Sequence, residues 1–140
     1  MIKSEVLKLV FLALAPVLQG KGEDLQGTWK PVEVELGGVK LPEAAFASWR
    51  LELGVGTYRL QGAESPDSGT VKVDASKKPA TIDVTGADGP NRGKTYPAIY
   101  ELKDDTLRIC YDLSGKTRPT EFKTAKQTKL YLVIYKRDKK

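Results

Sequence analysis

Between Leu25 and Arg137 the chain runs through eight or nine short stretches in which apolar and polar residues alternate, each closed by Gly, Pro, Asn, Asp or Lys. A period of two is the signature of strands that bury one face. No stretch carries the longer helical spacing over enough residues to make a long helix. Sequential strands of this number, joined by short connections, can pair as an antiparallel meander and close without leaving an edge. The pattern predicts an all-β domain, an antiparallel barrel of about eight strands. With 140 residues there is room for one such core.

Strand one is read over Gly27–Leu36. Val32, Val34 and Leu36 share a face, and Glu33 and Glu35 take the other. Strict alternation would leave Trp29 with the glutamates, so a bulge at Lys30-Pro31 is predicted to return it to the inner face. Residues 41–48, with Pro42 at a first helical position, predict a one- or two-turn helix after strand one. Residues 49–53 and 57–61 predict a hairpin through Gly54-Val55-Gly56, and strands at 69–75 and 81–85 follow. Residues 94–102 pair with 106–112 across Asp104-Asp105. Setting Leu102 opposite Leu107 places Tyr96, Ala98 and Tyr100 on one face with Ile109 and Tyr111, and leaves Glu101, Arg108 and Cys110 outside. Strands at 121–124 and 129–137 complete the sheet.

Three stretches carry a resemblance: LQGTWK (25–30), GPNRGKTYPAIYELKDDTLRICY (89–111) and KTRPTEFKT (116–124). Together they resemble the lipocalin-like domain family expanded in planctomycete bacteria, over residues 24–137. The resemblance implies a small, often exported, lipocalin-like β-barrel. It also implies a structural role for Gly27 and Trp29: the Trp closes the base, and a basic residue from the last strand, Lys136 or Arg137, lies over its ring. No catalytic residue carries over, and fold alone does not establish lipid binding.

Composition removes several chemistries. The chain has no His, so Ser-His-Asp and Cys-His mechanisms are excluded and the commonest zinc ligand is missing. The single Cys, Cys110, cannot form an internal disulfide and reads as a buried thiol, although an outward position would need cover. No metal-ligand spacing and no cofactor motif is present. The pairs Glu33/Glu35 and Asp104/Asp105 read as solvated surface. No acid–base pair can be argued into one cleft, so the chain reads as non-enzymatic, with carboxylate or tyrosine catalysis ranking third among the functional readings.

The net charge of +5 is uneven. Residues 116–140 hold nine basic residues against Glu121 and Asp138, a net +7, which leaves −2 for residues 1–115. This is either a solvated strand face with a charged tail or a docking surface for a protein or an anionic envelope polymer. Nucleic-acid motifs are absent.

Lys3 and Lys8 precede the apolar run 9–15, as in a secretory signal, although Glu5 and Pro16 depart from the pattern. Residues 1–22 are therefore expected to be a signal peptide, or else an amphipathic helix packed on the barrel, and residues 23–140 the barrel domain. Export places the protein in the periplasm or outside the cell; without cleavage it is cytoplasmic. The run is too short for a transmembrane helix.

The expected inward set is Val32, Val34, Leu51, Leu53, Tyr58, Val71, Val73, Ile82, Tyr96, Tyr100, Leu107, Ile109 and Tyr111. It is apolar with tyrosine hydroxyls as polar handles, the usual lining of a small-molecule site. An eight-stranded barrel can equally be filled by its own side chains. The leading expectation is an exported, non-catalytic binder of a small apolar or amphiphilic ligand, using Tyr58, Tyr96, Ala98, Tyr100 and Tyr111, with Arg118 and Glu121 joining Tyr111 at the rim. The alternative is a filled barrel that docks through its basic C-terminal surface.

Overall fold

The computed structural model describes residues 24–139, so the expected signal segment 1–22 lies outside the described residues. Nine strands follow one another: β1 (Gly27–Leu36), β2 (Val39–Lys40), β3 (Arg50–Leu53), β4 (Thr57–Gln61), β5 (Asp67–Asp74), β6 (Ala80–Gly86), β7 (Thr95–Lys103), β8 (Thr106–Asp112) and β9 (Leu130–Arg137). Each pairs antiparallel with its neighbours, and β1 meets both β3 and β9. Eight strands thus close into the predicted all-β antiparallel barrel. The two-residue β2 only flanks the end of β1, reached through Gly37-Gly38, whose φ values of 57° and 83° suit glycine.

Closure explains one correction. Residues 121–124 are not a strand: β9 already pairs with β8 and β1, so no edge is left for them. They belong instead to the long connection 113–129, which folds over the outside of the barrel. There Phe122 covers Ile99, Cys110 and Leu132, a small second core on the outer face. Arg108 also lies over the Phe122 ring, its guanidinium carbon 4.2 Å from the centroid. The outward Cys110 therefore has the cover that its position required.

The predicted helix after strand one is a single 3-10 turn, Glu43–Ala45, and Pro42 caps it instead of opening it. Its neighbour Phe46 is what matters to the fold: it is buried and stacks at a tilt on Trp49, with ring centroids 6.3 Å apart.

The β1 bulge exists, but its extra residue is Val32. Against β9 the register runs Pro31↔Tyr135 and then Glu33↔Ile134, skipping Val32. Trp29 and Val34 both turn inward, at 0% and 1% exposure, as the bulge demanded. Val32 itself is expelled to the surface, against the expectation that it faces the core. The β7–β8 register holds as predicted, with Leu102 opposite Leu107 and Ala98 opposite Tyr111.

At one end of the barrel Trp29 fills the base. Its ring Nε1 donates to Leu25 O at 2.9 Å, and the Arg137 guanidinium lies over the ring, 4.3 Å from the centroid. Gly27 has φ 131°, and a Cβ there would come within 3.1 Å of Arg137 Nη1, so the position favours glycine for both reasons. Lys136 points the other way, to Thr106 Oγ1 at 2.8 Å on the surface. Asp105 lies at the surface, as expected, where it takes the Arg137 Nε–H at 3.2 Å and pairs with Lys139 at 2.7 Å. Its carboxyl is held below the usual range, first by the hydrogen bond from Lys139.

Candidate functional site

Strand direction puts the connections 62–66, 87–94 and 113–129 at the end of the barrel opposite Trp29. Toward that end the interior is hollow. A cavity of about 270 Å³ is walled by Leu51, Leu53, Leu60, Val71, Ile82, Val84, Ile109 and Leu113. Into it project five of the chain's six tyrosines, Tyr58, Tyr96, Tyr111, Tyr131 and Tyr135, together with Trp49, Asn91 and Asp67. The interior is thus packed solid around Trp29, Leu107 and Ala98 and open above them. The volume lies just under the ~300–1,000 Å³ of drug-sized ligand pockets.

The polar groups are held in place. Tyr58 OH donates to Asp67 Oδ1 at 2.7 Å. Tyr96 OH donates to Asn91 Oδ1 at 2.8 Å, which ties the 3-10 turn Gly89–Asn91 to the cavity wall. Asp67 opens β5, and its neighbour Ser68 is fixed by Asp88, whose carboxylate accepts both Ser68 N–H at 2.8 Å and Ser68 Oγ–H at 3.0 Å. The Tyr111 and Tyr131 rings lie 5.5 Å apart at 37° across paired β8 and β9.

Burial pushes the tyrosine hydroxyls up in pKa, and the Asp67 charge adds to it. Tyr111 rises to about 12, Tyr58 and Tyr131 rise further, and Tyr135 stands well above the ordinary value. At neutral pH they are all uncharged donors and acceptors.

The sequence-derived site residues divide. Tyr58, Tyr96 and Tyr111 line the cavity. Ala98 faces inward between Ile82 and Tyr111, but it is fully packed and lies beneath the cavity. Tyr100 is buried lower in the barrel, opposite Ala80 and Ile109, and does not reach the hollow. Arg118 and Glu121, expected at the rim, do not line the cavity. Arg118 reaches over the outer face, pairing with Asp83 at 2.8 Å and donating to Ala98 O at 2.9 Å. Glu121 is exposed and pairs with Lys123 at 3.3 Å. Both border an open groove of about 1090 Å³ beside the 113–129 connection, together with Lys94, Lys116 and Lys129, and this groove meets the cavity at Tyr96 and Leu113.

Asp67, Asn91, Trp49, Tyr131 and Tyr135 escaped the sequence reading. For the two tyrosines the signal was present: alternation continued through Tyr131-Leu132-Val133-Ile134-Tyr135 sets them on Val133's face. Asp67, Asn91 and Trp49 enter from strand ends and connections, where no period marks them.

Among the described residues no cluster of His, Cys, Asp and Glu is placed to hold a metal ion, and no helix is long and apolar enough to cross a membrane. Comparison of the chain with protein-family models, curated proteins and solved structures finds no match.

Proposed function

We propose that this protein is an exported, non-catalytic binding protein of the lipocalin-like kind that holds a small apolar or amphiphilic molecule inside its barrel. The observation that carries the reading is the cavity of about 270 Å³, walled by aliphatic side chains and furnished with five uncharged tyrosine hydroxyls. Apolar walls drive burial of a ligand body, and a few fixed polar groups orient it. The lipocalin-like part of the reading is supported by Gly27, Trp29 and the overlying Arg137. Export is supported by Lys3, Lys8 and the apolar run 9–15. The test is native mass spectrometry of the protein purified from its own host without detergent. A discrete added mass that disappears on denaturation supports the reading and identifies the ligand class. A bare mass, under conditions that preserve a known barrel–ligand complex, counts against it.

The second reading is docking to an anionic envelope polymer or protein, and the open groove bordered by Lys94, Lys116 and Lys129 favours it. Reversing these three to Glu removes such binding and leaves uptake into the barrel intact.

A further inference from the structure

We infer that the barrel cavity selects a small organic cation, an apolar amine or ammonium compound whose charged head sits at Asp67 while its body lies among Leu60, Val71 and Val84. This rests on the reading of the cavity as a ligand site.

Charge comes first. Asp67 is the only Asp, Glu, Lys or Arg among the residues that line the cavity. Its Oδ1 accepts the Tyr58 hydroxyl at 2.7 Å, and no hydrogen bond from a described residue reaches Oδ2. A carboxylate ligand would enter a site that has no counter-charge and already holds a negative one. An ammonium head would meet a fixed carboxylate in a partly dewatered space, where charge-assisted hydrogen bonds are strong. Lys94, Lys116 and Lys129 line the adjoining outer groove, which meets the cavity at Tyr96 and Leu113, and none of them lines the cavity itself.

The aromatic residues supply the second observation. Trp49, Tyr96, Tyr111 and Tyr131 stand around the same hollow, the last two with centroids 5.5 Å apart and tilted by 37°. Aromatic faces attract ammonium groups, and several gathered around one space are the usual means of holding a cation that has few N–H donors. The Asp67 charge also extends through the site, contributing to the raised pKa of Tyr58, Tyr96, Tyr111, Tyr131 and Tyr135.

Calorimetric titration of the full chain with benzylammonium, benzyl alcohol and benzoate tests this, since the three share a frame and differ in charge. The expected order is ammonium, alcohol, benzoate, with the ammonium roughly 10- to 100-fold tighter than the alcohol. Asp67→Asn keeps an acceptor for Tyr58, so the barrel stays intact; it should remove the ammonium's advantage and spare alcohol binding. Val84→Phe should abolish all binding, which locates it in the barrel. If the three probes bind alike, or the ammonium keeps its advantage in Asp67→Asn, the cation inference is overturned and the cavity reading survives. If none of them binds, both fall together.

Discussion

Arg137, the last residue of β9, joins the last strand of the barrel to the first by lying over Trp29, the third residue of β1. Its guanidinium carbon is 4.3 Å from the ring centroid, while Nη1 donates to Gln26 O and Nη2 to Asp24 O, each at 2.9 Å. The residue thus covers the ring and binds the segment that leads into β1. Trp29→Ala removes a ring with no solvent exposure and should cost about 3–5 kcal/mol in urea unfolding. A loss below ~1 kcal/mol would mean that the ring does not close the base.

Arg137→Lys separates charge from shape. Lysine keeps the positive charge but cannot reach two carbonyls and Asp105 at once with a planar fork. It should therefore recover little of what Arg137→Ala loses, and the loss should be about 1–3 kcal/mol. Lys136→Ala, one residue away and outward, should shift the unfolding midpoint by no more than a surface change does. Parallel denaturation curves of the three variants decide the matter.

The fold was legible because barrel strands announce themselves by alternation, and the Leu102–Leu107 register followed from matching two apolar faces. What failed was non-periodic. The bulge was required by Trp29 and Val34, but which residue it expels depends on where β9 pairs, and Val32 bore no mark of its own. Residues 121–124 look like a strand locally; only closure of the sheet denies them a partner. The site was half legible for the same reason. Tyr58, Tyr96 and Tyr111 lie on alternating strands, while Asp67, Asn91 and Trp49 arrive at the cavity through the topology of strand ends. Arg118 and Glu121 do not line the cavity because their segment wraps the outer face.

Asp112 predicts an acid limb in the stability profile. The residue is buried at the end of β8 and accepts four hydrogen bonds, from Ser114 N and Oγ, Lys116 N and Thr117 N, at 2.6–3.1 Å. Burial alone would raise its pKa, but the bonds from Ser114, Thr117 and Lys116 outweigh it and hold it below the usual carboxylate value. A lowered folded pKa gives stability that is present above the unfolded value, ~3.9, and is lost as pH falls through the folded one. Asp112→Asn should flatten that limb. At neutral pH it should cost about 1–3 kcal/mol, because donors lose a charged acceptor. A wild-type stability that falls no more steeply with acid than the variant's would sink the assignment.

The tyrosines predict the opposite limb. Tyr58, Tyr111, Tyr131 and Tyr135 all have folded values above the unfolded ~10, with Tyr111 at about 12. Their contribution is complete below pH ~10 and is lost as pH rises beyond it, since the unfolded chain ionises first. Phenolate absorbance should therefore appear late and together with unfolding. A normal titration with the barrel intact would put these hydroxyls in water.

Cys110 should be inert until Phe122 is removed. The thiol has 0% exposure, lies 3.6 Å from Lys123 O, and is pushed up in pKa chiefly by burial. A thiol needs both exposure and thiolate character to react, and this one has neither. The cover over it is the 113–129 connection, through Phe122 packed on Ile99, Cys110 and Leu132. Phe122→Ala uncovers that outer cluster but leaves the barrel's hydrogen-bonded strands and its interior untouched. Labelling by a thiol reagent under native conditions should accelerate at least tenfold in the variant, while probe binding in the cavity stays unchanged. Equal labelling rates would mean that Cys110 is reached through opening of the barrel itself, and a loss of cavity binding would mean that the connection supports the site from outside.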